Sequence, residues 1–270
     1  MNPKSISILY EDKDVLVINK PAGLIVHSDG RIKEPTVVEW ILKNYPKIKG
    51  VGDKVEEYGI KNIESGKKEI PNPKSQIPNS NLRPGIVHRL DRETSGALII
   101  AKNQEAFYAF KHQFKKQEVH KTYQAFVYGR MKNDDGLIDR PISRSRANPV
   151  LWSATRGRKG EEREAITEYR VLSRMNSKEG REGKDEFTFV ELSPRTGRTH
   201  QLRVHLKAIN YPIVSDRLYA PNRAPALGFK RLALHSRAIS FLLPSGKRIT
   251  VEAPYPKDFQ EALKFFGKHQ

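Results

Sequence analysis

His88-Arg89-Leu90-Asp91-Arg92-Glu93-Thr94-Ser95-Gly96 runs directly into Ala97-Leu98-Ile99-Ile100-Ala101. The first nine positions hold two arginines, two carboxylates, two hydroxyls and a histidine, and the five that follow are apolar. An apolar run of this length fits a buried strand, so the polar cluster sits at the mouth of a core element that can hold it rigidly. Arg89 and Arg92 flank Asp91, and opposite charge favours the ionised carboxylate. Free aspartate has a pKa of about 3.9, so near neutrality Asp91 is an acceptor, a nucleophile or a weak base. Gly85 and Gly96 bracket the stretch with backbone freedom. Taken alone, an R-x-D of this kind also fits a surface ion-pair loop.

Working outward, Ile8-Leu9 and Val15-Leu16-Val17-Ile18 predict a hairpin around Glu11 to Asp14, and Leu24 to His27 predict a short strand. Pro35 and Thr36 start a helix with Val37, Trp40 and Ile41 on one face, ended by Tyr45-Pro46. From Lys47 to Arg83 the composition turns to Asn, Pro, Lys, Glu and Ser and the apolar period is lost, which predicts a flexible insertion at 47–83. Asn103 can cap a helix carrying Phe107, Phe110 and Phe114. Lys121 to Gly129 alternates as a strand. Residues 140–163 read as an irregular basic loop containing an exposed Trp152. Strands follow at 165–172 and 187–192, then a helix starting and capped at Thr199 and stopped by Asn210 and Pro212. A hairpin from Leu232 to Glu252 and a helix from Pro256 to Phe266 close the chain. Strands and helices mix without a βαβ rhythm, which predicts an α+β fold with a mixed, mostly antiparallel sheet flanked by helices and basic loops. One domain over 1–270 fits the length.

The chain has 49 basic against 31 acidic residues, a net charge of +18 over 270 residues. Such an excess points to a polyanionic partner, above all nucleic acid. There is no cysteine, which excludes disulfides and thiol chemistry and fits a reducing compartment. No apolar run approaches a membrane span and no signal-peptide core is present, so a cytoplasmic protein without a membrane partner is expected. His88, His200, His205 and His235 lack metal-site spacing, so no metal is expected and hydrogen-bonding or packing roles are. Nucleotide-binding glycine loops and a G-x-S-x-G elbow are absent. Arg198 and Arg203 border the start of the predicted Thr199 helix, where free amides suit an anion.

Gly85-Ile86-Val87-His88-Arg89-Leu90-Asp91-Arg92-Glu93-Thr94-Ser95-Gly96 resembles the signature of the RluA-type pseudouridine synthases. Three more segments agree in order and spacing: Ile18 to His27, Lys121 to Gly129, and Thr196 to His205. The resemblance runs from about Ile8 to Pro256. It implies the pseudouridine synthase catalytic fold and a cofactor-free isomerisation of uridine in rRNA or tRNA, with the base flipped from its stack. Asp91 matches the catalytic aspartate, which either attacks the anomeric carbon or removes a sugar proton. Tyr123 matches the tyrosine that stacks on the base and assists proton removal from its carbon 5. Arg203 matches the basic partner of the aspartate, and Arg89 the arginine filling the vacated stack. Arg92, Lys121, Arg198 and His200 are expected to contact RNA, and the enzyme is expected to be a monomer.

Two departures stand out. Ser215 and Ala220 occupy positions where the family typically carries glycine, and the enzyme is expected to work without the small helical RNA-binding domain that many members carry before the position of Ile8, so recognition is expected to fall to the basic loops, chiefly 140–163. Two rival readings remain at this level. One is a non-catalytic RNA-binding or ribosome-assembly protein on the same fold. The other is a base-removing glycosidase using Asp91 with Glu93.

Overall fold

The computed structural model describes residues 6–28, 34–53, 83–148, 151–155, 158–175 and 186–267. Strands β1 (Ser7–Glu11) and β2 (Val15–Lys20) form the predicted hairpin. Helix α1 (Val37–Asn44) starts from Thr36, whose hydroxyl accepts from Glu39 N while the Glu39 carboxylate accepts from Thr36 N. This reciprocal capping box explains why the helix starts where the sequence placed it. Leu24 to His27 does not form a strand; Ile25 makes one isolated bridge to Thr36.

Strand β3 (Ser95–Ala101) is buried along its whole length, as its apolar run requires. Helix α2 (Gln104–Lys115) is capped by Asn103 and buries Phe107 and Phe110. Next come β4 (His120–Tyr128), β5 (Asp135–Asp139), β6 (Ile142–Ser145), β7 (Trp152–Ser153), β8 (Arg158–Arg163), β9 (Ile166–Met175) and β10 (Phe187–Pro194). Helix α3 spans Gln201–Ala208, strands β11 and β12 span Leu234–Leu242 and Arg248–Glu252, and helix α4 spans Lys257–Gly267. The main sheet has nine strands in the order β1-β2-β3-β11-β4-β10-β9-β5, with β12 on β11. Its pairings are antiparallel except β3 with β11, which are parallel at His235↔Ser95 and Ser236↔Gly96. The fold is therefore α+β with a mixed, mostly antiparallel sheet.

Two glycines permit the central crossing. Gly96 has φ +112°, and a Cβ there would collide with the Ser236 carbonyl. Gly85 has φ +70°, and a Cβ would press on the Ala101 carbonyl. Only a residue without a side chain accepts both conditions. On β4 the alternation of the strand separates two jobs. Phe126 enters a cluster with Phe189, Phe229, Phe259 and Phe266, at centroid distances of 4.6 to 5.4 Å. Tyr123, three residues away, belongs to the opposite face.

The expected insertion starts later than Lys47. Pro46–Gly50 is a 3₁₀ turn burying Ile48, and Val51 is also buried. Gly52 exchanges two hydrogen bonds with the Gln104 side chain at 3.0 and 2.8 Å. This segment is core because Ile48 and Val51 join the main apolar cluster. Residues 54–82 of the expected insertion lie outside the described residues. The segment 140–163 is not irregular either: β7, β6 and β8 form a separate three-stranded sheet. Ile142, Ala154 and Ala165 bury against Val204 and Tyr219. Trp152 is half-buried, with the Arg144 guanidinium 4.3 Å above its ring and that of Arg163 at 5.9 Å. These strands are too short and charged to show a period of two, and their stability comes from α3.

Candidate active site

The turn that carries Asp91 is pinned from four directions. Leu90 is buried in the core. Lys20, with no exposed surface, donates to the carbonyls of Pro21, Leu24 and Arg92 at 3.0, 2.8 and 3.1 Å. Three carbonyls satisfy the three donors of an ammonium, although burial pulls its pKa down to about 7, with Asp91 opposing and Arg231 assisting. Arg231 donates to the Glu93 carbonyl at 3.0 Å and is itself held by Asp258. His88 stacks on Phe114 at 4.8 Å, and its Nε2 accepts from Ile99 N at 2.9 Å. Burial, with help from the Lys121 charge, drops the His88 pKa to about 3, so it is a neutral structural acceptor.

Asp91 meets Arg203 across 112 positions of sequence: Nη1 lies 3.3 Å from Oδ2. Arg203 is held from behind by Asp216, to which Nε and Nη2 each donate at 2.8 Å. The Asp216 side chain has no exposure, that of Arg203 has 6%, and that of Asp91 has 20%. Asp91 is thus the most accessible member of the three. Burial works against the Arg203 charge, but the Asp216 carboxylate, then Asp91, outweigh it and raise the pKa. Such a bidentate buried pair fixes the guanidinium plane.

His200 occupies a left-handed conformation (φ 57°) at the N-cap of α3. Its Nε2 is 3.9 Å from Asp91 Oδ2 and its Nδ1 is 2.9 Å from the Tyr219 hydroxyl. Burial lowers its pKa, with Asp91 pulling the other way. Tyr219 also accepts from Trp152 N at 3.2 Å, and Arg203 lies over its ring at 4.9 Å. One buried phenol therefore joins α3, Arg203 and the small basic sheet.

The sequence placed the start of α3 at Thr199, and the structure moves it to Gln201 without a side-chain cap. Gln201 is the reason. Its carbonyl oxygen accepts from Arg198 N and the Thr196 hydroxyl, and its amide donates to Ile166 O and Thr167 Oγ1. Those bonds tie the Thr196–Arg198 loop to β9 and leave Thr199 outside the cap. Arg198 directs Nε to the Glu164 carbonyl at 2.9 Å.

A cavity of about 660 Å³ gathers Arg89, Asp91, Lys121, Tyr123, Arg198, His200 and Arg203 on its wall. Tyr123 is buried; burial and the nearby Asp91 charge raise its pKa, opposed by a hydrogen bond with Ser236. Lys121 donates to the Thr196 carbonyl at 3.3 Å, and burial lowers its pKa to about 8. Arg89 is exposed and, among the described residues, forms no ion pair. Arg92 does not reach this cavity; it pairs with Glu34 and lines a neighbouring one. Glu93, the other carboxylate of the signature, also lies outside it. Among the described residues no group of three or more His, Cys, Asp or Glu side chains is placed to hold a metal, and no helix is long and apolar enough to cross a membrane.

The residues that sequence reasoning missed are Asp216, Tyr219 and Lys20. Ser215-Asp216 stands where a family glycine was noted, and Ser215 indeed adopts φ 58°, with its hydroxyl on the Phe229 carbonyl. A left-handed serine turn that delivers Asp216 was the available signal. His205 and His235 are buried and hydrogen-bonded, to Thr167 and Arg140 and to Ser95 and Ala253 respectively.

A reachable aspartate, locked to a buried arginine in a basic cleft beside a buried tyrosine, is an arrangement suited to carboxylate chemistry on a polyanion. The chain belongs to the RNA pseudouridylate synthase family, whose model matches residues 14–208, and it is an RNA pseudouridine synthase of the RluA type. It is 34% identical over 268 residues to an uncharacterized RNA pseudouridine synthase of Bacillus subtilis, covering 99% of this chain and 75% of that protein. It is 36% identical over 263 residues to ribosomal large subunit pseudouridine synthase D of Borreliella burgdorferi, covering 97% of this chain and 69% of that one. The structure of human RNA pseudouridylate synthase domain containing 1 shares the fold, with a TM-score of 0.67 at 24% identity over 95% of this chain and 87% of that one.

Proposed function

We propose that the enzyme flips a uridine of large-subunit ribosomal RNA into the Asp91 cavity and isomerises it with Asp91, Tyr123 and Arg203. The observation that carries this reading is the single Arg203 contact to Asp91, backed by the buried Asp216. The Arg203 and His200 contacts both fall on Oδ2, and the Asp91 side chain keeps 20% exposure on the cavity wall. The names of several relatives support the ribosomal target, that from Borreliella burgdorferi among them.

In the reaction the bond between uracil N1 and the ribose C1′ breaks and a bond from C5 to C1′ forms. The hydrogen at C5 leaves and N1 gains one, so no redox partner is needed. Asp91 either bonds to C1′ or takes a ribose proton. Both routes neutralise its carboxylate, which removes one of the two causes that hold Tyr123 in the phenol form. Tyr123 is thus a stacking platform first and a better proton acceptor for C5 only after Asp91 has reacted. Arg203 orients Asp91 throughout. Arg89 fills the place of the flipped nucleotide, since reaching a stacked glycosidic bond requires flipping. Lys121, Arg198 and His200 contact the RNA on the cavity wall, and Arg92 contacts it outside. The protein acts as a cytoplasmic monomer formed of a single catalytic domain.

Asp91→Ala tests this directly. Pseudouridine formation is lost while RNA affinity, carried by arginines and lysines elsewhere, stays near wild type. Full activity in that variant refutes the mechanism, and release of free uracil by the wild type supports the glycosidase reading. Mapping pseudouridines in cellular RNA with and without the gene identifies the target.

A further inference from the structure

Asp91 lines two cavities. The second, about 520 Å³, shares Arg89, Leu90, Asp91, His200 and Arg203 with the first. Its remaining wall comes from elsewhere, with Ile25 and Val26 after β2, Arg92 after Asp91, and Arg217 and Leu218 after Asp216. Tyr123 and Lys121 line only the first cavity. The volume is in the range of small-ligand sites, and the wall mixes apolar groups with four arginines, against the two carboxylates of Asp91 and Glu93.

Two of these residues have no structural reason to be where they are. Leu218 is 45% exposed, one of few large apolar side chains so placed among the described residues. Its backbone N–H is bound to Asp216 Oδ1 at 3.0 Å, so the exposed side chain is presented by a fixed turn. Arg217, its neighbour, is exposed; it reaches the Lys230 carbonyl at 3.3 Å and forms no ion pair among the described residues. An exposed aliphatic side chain beside a guanidinium that forms no ion pair among the described residues suits apolar contact with a base and a charged contact to its phosphate. A flipped uridine is one covalent step from its neighbours, and the two cavities meet at the residue that would act on it.

We propose that the cavity walled by Leu218, Arg217, Arg92 and Ile25 is a second nucleotide subsite, which takes the residue adjacent to the target uridine in the RNA strand. Leu218 packs on the adjacent base and Arg217 takes a phosphate. This rests on Asp91 being the reacting group. It makes the Ser215–Leu218 turn do two things: Asp216 sets Arg203 on the catalytic side, and Leu218 reads the neighbouring nucleotide.

The probes are uridine 5′-monophosphate and the dinucleotide pUpU, titrated by NMR into wild type, Leu218→Ser and Arg217→Gln. Both substitutions are at exposed side chains, and circular dichroism checks that the fold is kept. In the wild type pUpU binds about tenfold tighter than the mononucleotide, the scale of burying one apolar side chain against a base. In each variant the advantage shrinks to about threefold or less, while the mononucleotide affinity is unchanged. An equal affinity of the two probes overturns the proposal, as does an advantage that survives both substitutions, a parallel loss of both probes, or no saturable binding of either. The catalytic reading fails separately: if Asp91→Ala still turns over RNA while the dinucleotide advantage persists, the subsite stands and the mechanism does not.

Discussion

Asp216→Asn removes the charge behind the Asp91–Arg203 pair while keeping its shape. In the native site both Asp216 oxygens accept from Arg203 at 2.8 Å, and Oδ1 also accepts from Leu218 N and Tyr219 N at 3.0 and 3.1 Å. An asparagine offers one oxygen and an amide, so one guanidinium N–H faces another donor. Removing one partner of a buried ion pair costs about 3 to 5 kcal/mol, because the remaining charge is left without water or compensation. Asp91 at 3.3 Å recovers part of this, which places the expected loss near the low end, about 3 kcal/mol. The same recovery draws Arg203 toward Asp91 and turns the carboxylate away from the cavity. A misplacement of that kind lowers kcat on the order of 100-fold. RNA affinity, which depends on exposed cations, changes little. Urea melts followed by circular dichroism give the stability, and single-turnover conversion of a mapped RNA gives the rate. A stability loss under about 1 kcal/mol together with near-wild-type turnover refutes the role assigned to Asp216.

Three further outcomes follow from the same contacts. Tyr219→Phe strips the hydroxyl from both His200 and Trp152 N; turnover falls about tenfold and the melt shifts down by about 1 to 2 kcal/mol, while unchanged turnover would show that His200 needs no anchor. His235 has no exposure and burial lowers its pKa to about 4 from an ordinary 6.5. Between those values the unfolded chain binds the proton and the native one does not, so stability rises with pH there and is lost as pH falls, by up to about 1.4 kcal/mol per unit. His235→Gln should flatten the decline between pH 6 and pH 5 in denaturant midpoints, and an identical decline in both proteins contradicts the assignment. Finally, RNA binding weakens steeply with salt. Replacing exposed Lys159 and Arg163 of the small sheet by Gln reduces the slope of log affinity against log salt by about 1 to 2. An unaltered slope means that this sheet does not face RNA.

The sequence by itself determined the elements with strong local signals. The buried run from Ala97 to Ala101 became β3, Thr36 and Asn103 capped their helices, and the Lys121 to Gly129 alternation put Tyr123 on a strand. It also marked Asp91, because charge of both signs gathered next to an apolar strand, and the family signature supplied Tyr123 and Arg203. Local pattern failed where stability comes from contact with distant segments. Strands β6 to β8 are held by Val204 and Tyr219 of another part of the chain, and Ile48 and Val51 join the main core inside what reads as a polar insertion. Gln201 outcompeted Thr199 for the start of α3 because its partners lie on β9. The supports of the site were invisible for the same reason. Lys20 meets Arg92 across 72 positions and Arg231 meets the Glu93 carbonyl across 138. Asp216, a lone carboxylate in a serine turn, acquires meaning only when the fold buries it against a guanidinium. Sequence fixes which groups a short stretch can offer; the tertiary structure decides which of them are taken out of water, and burial is what gives a charge its partner and its strength.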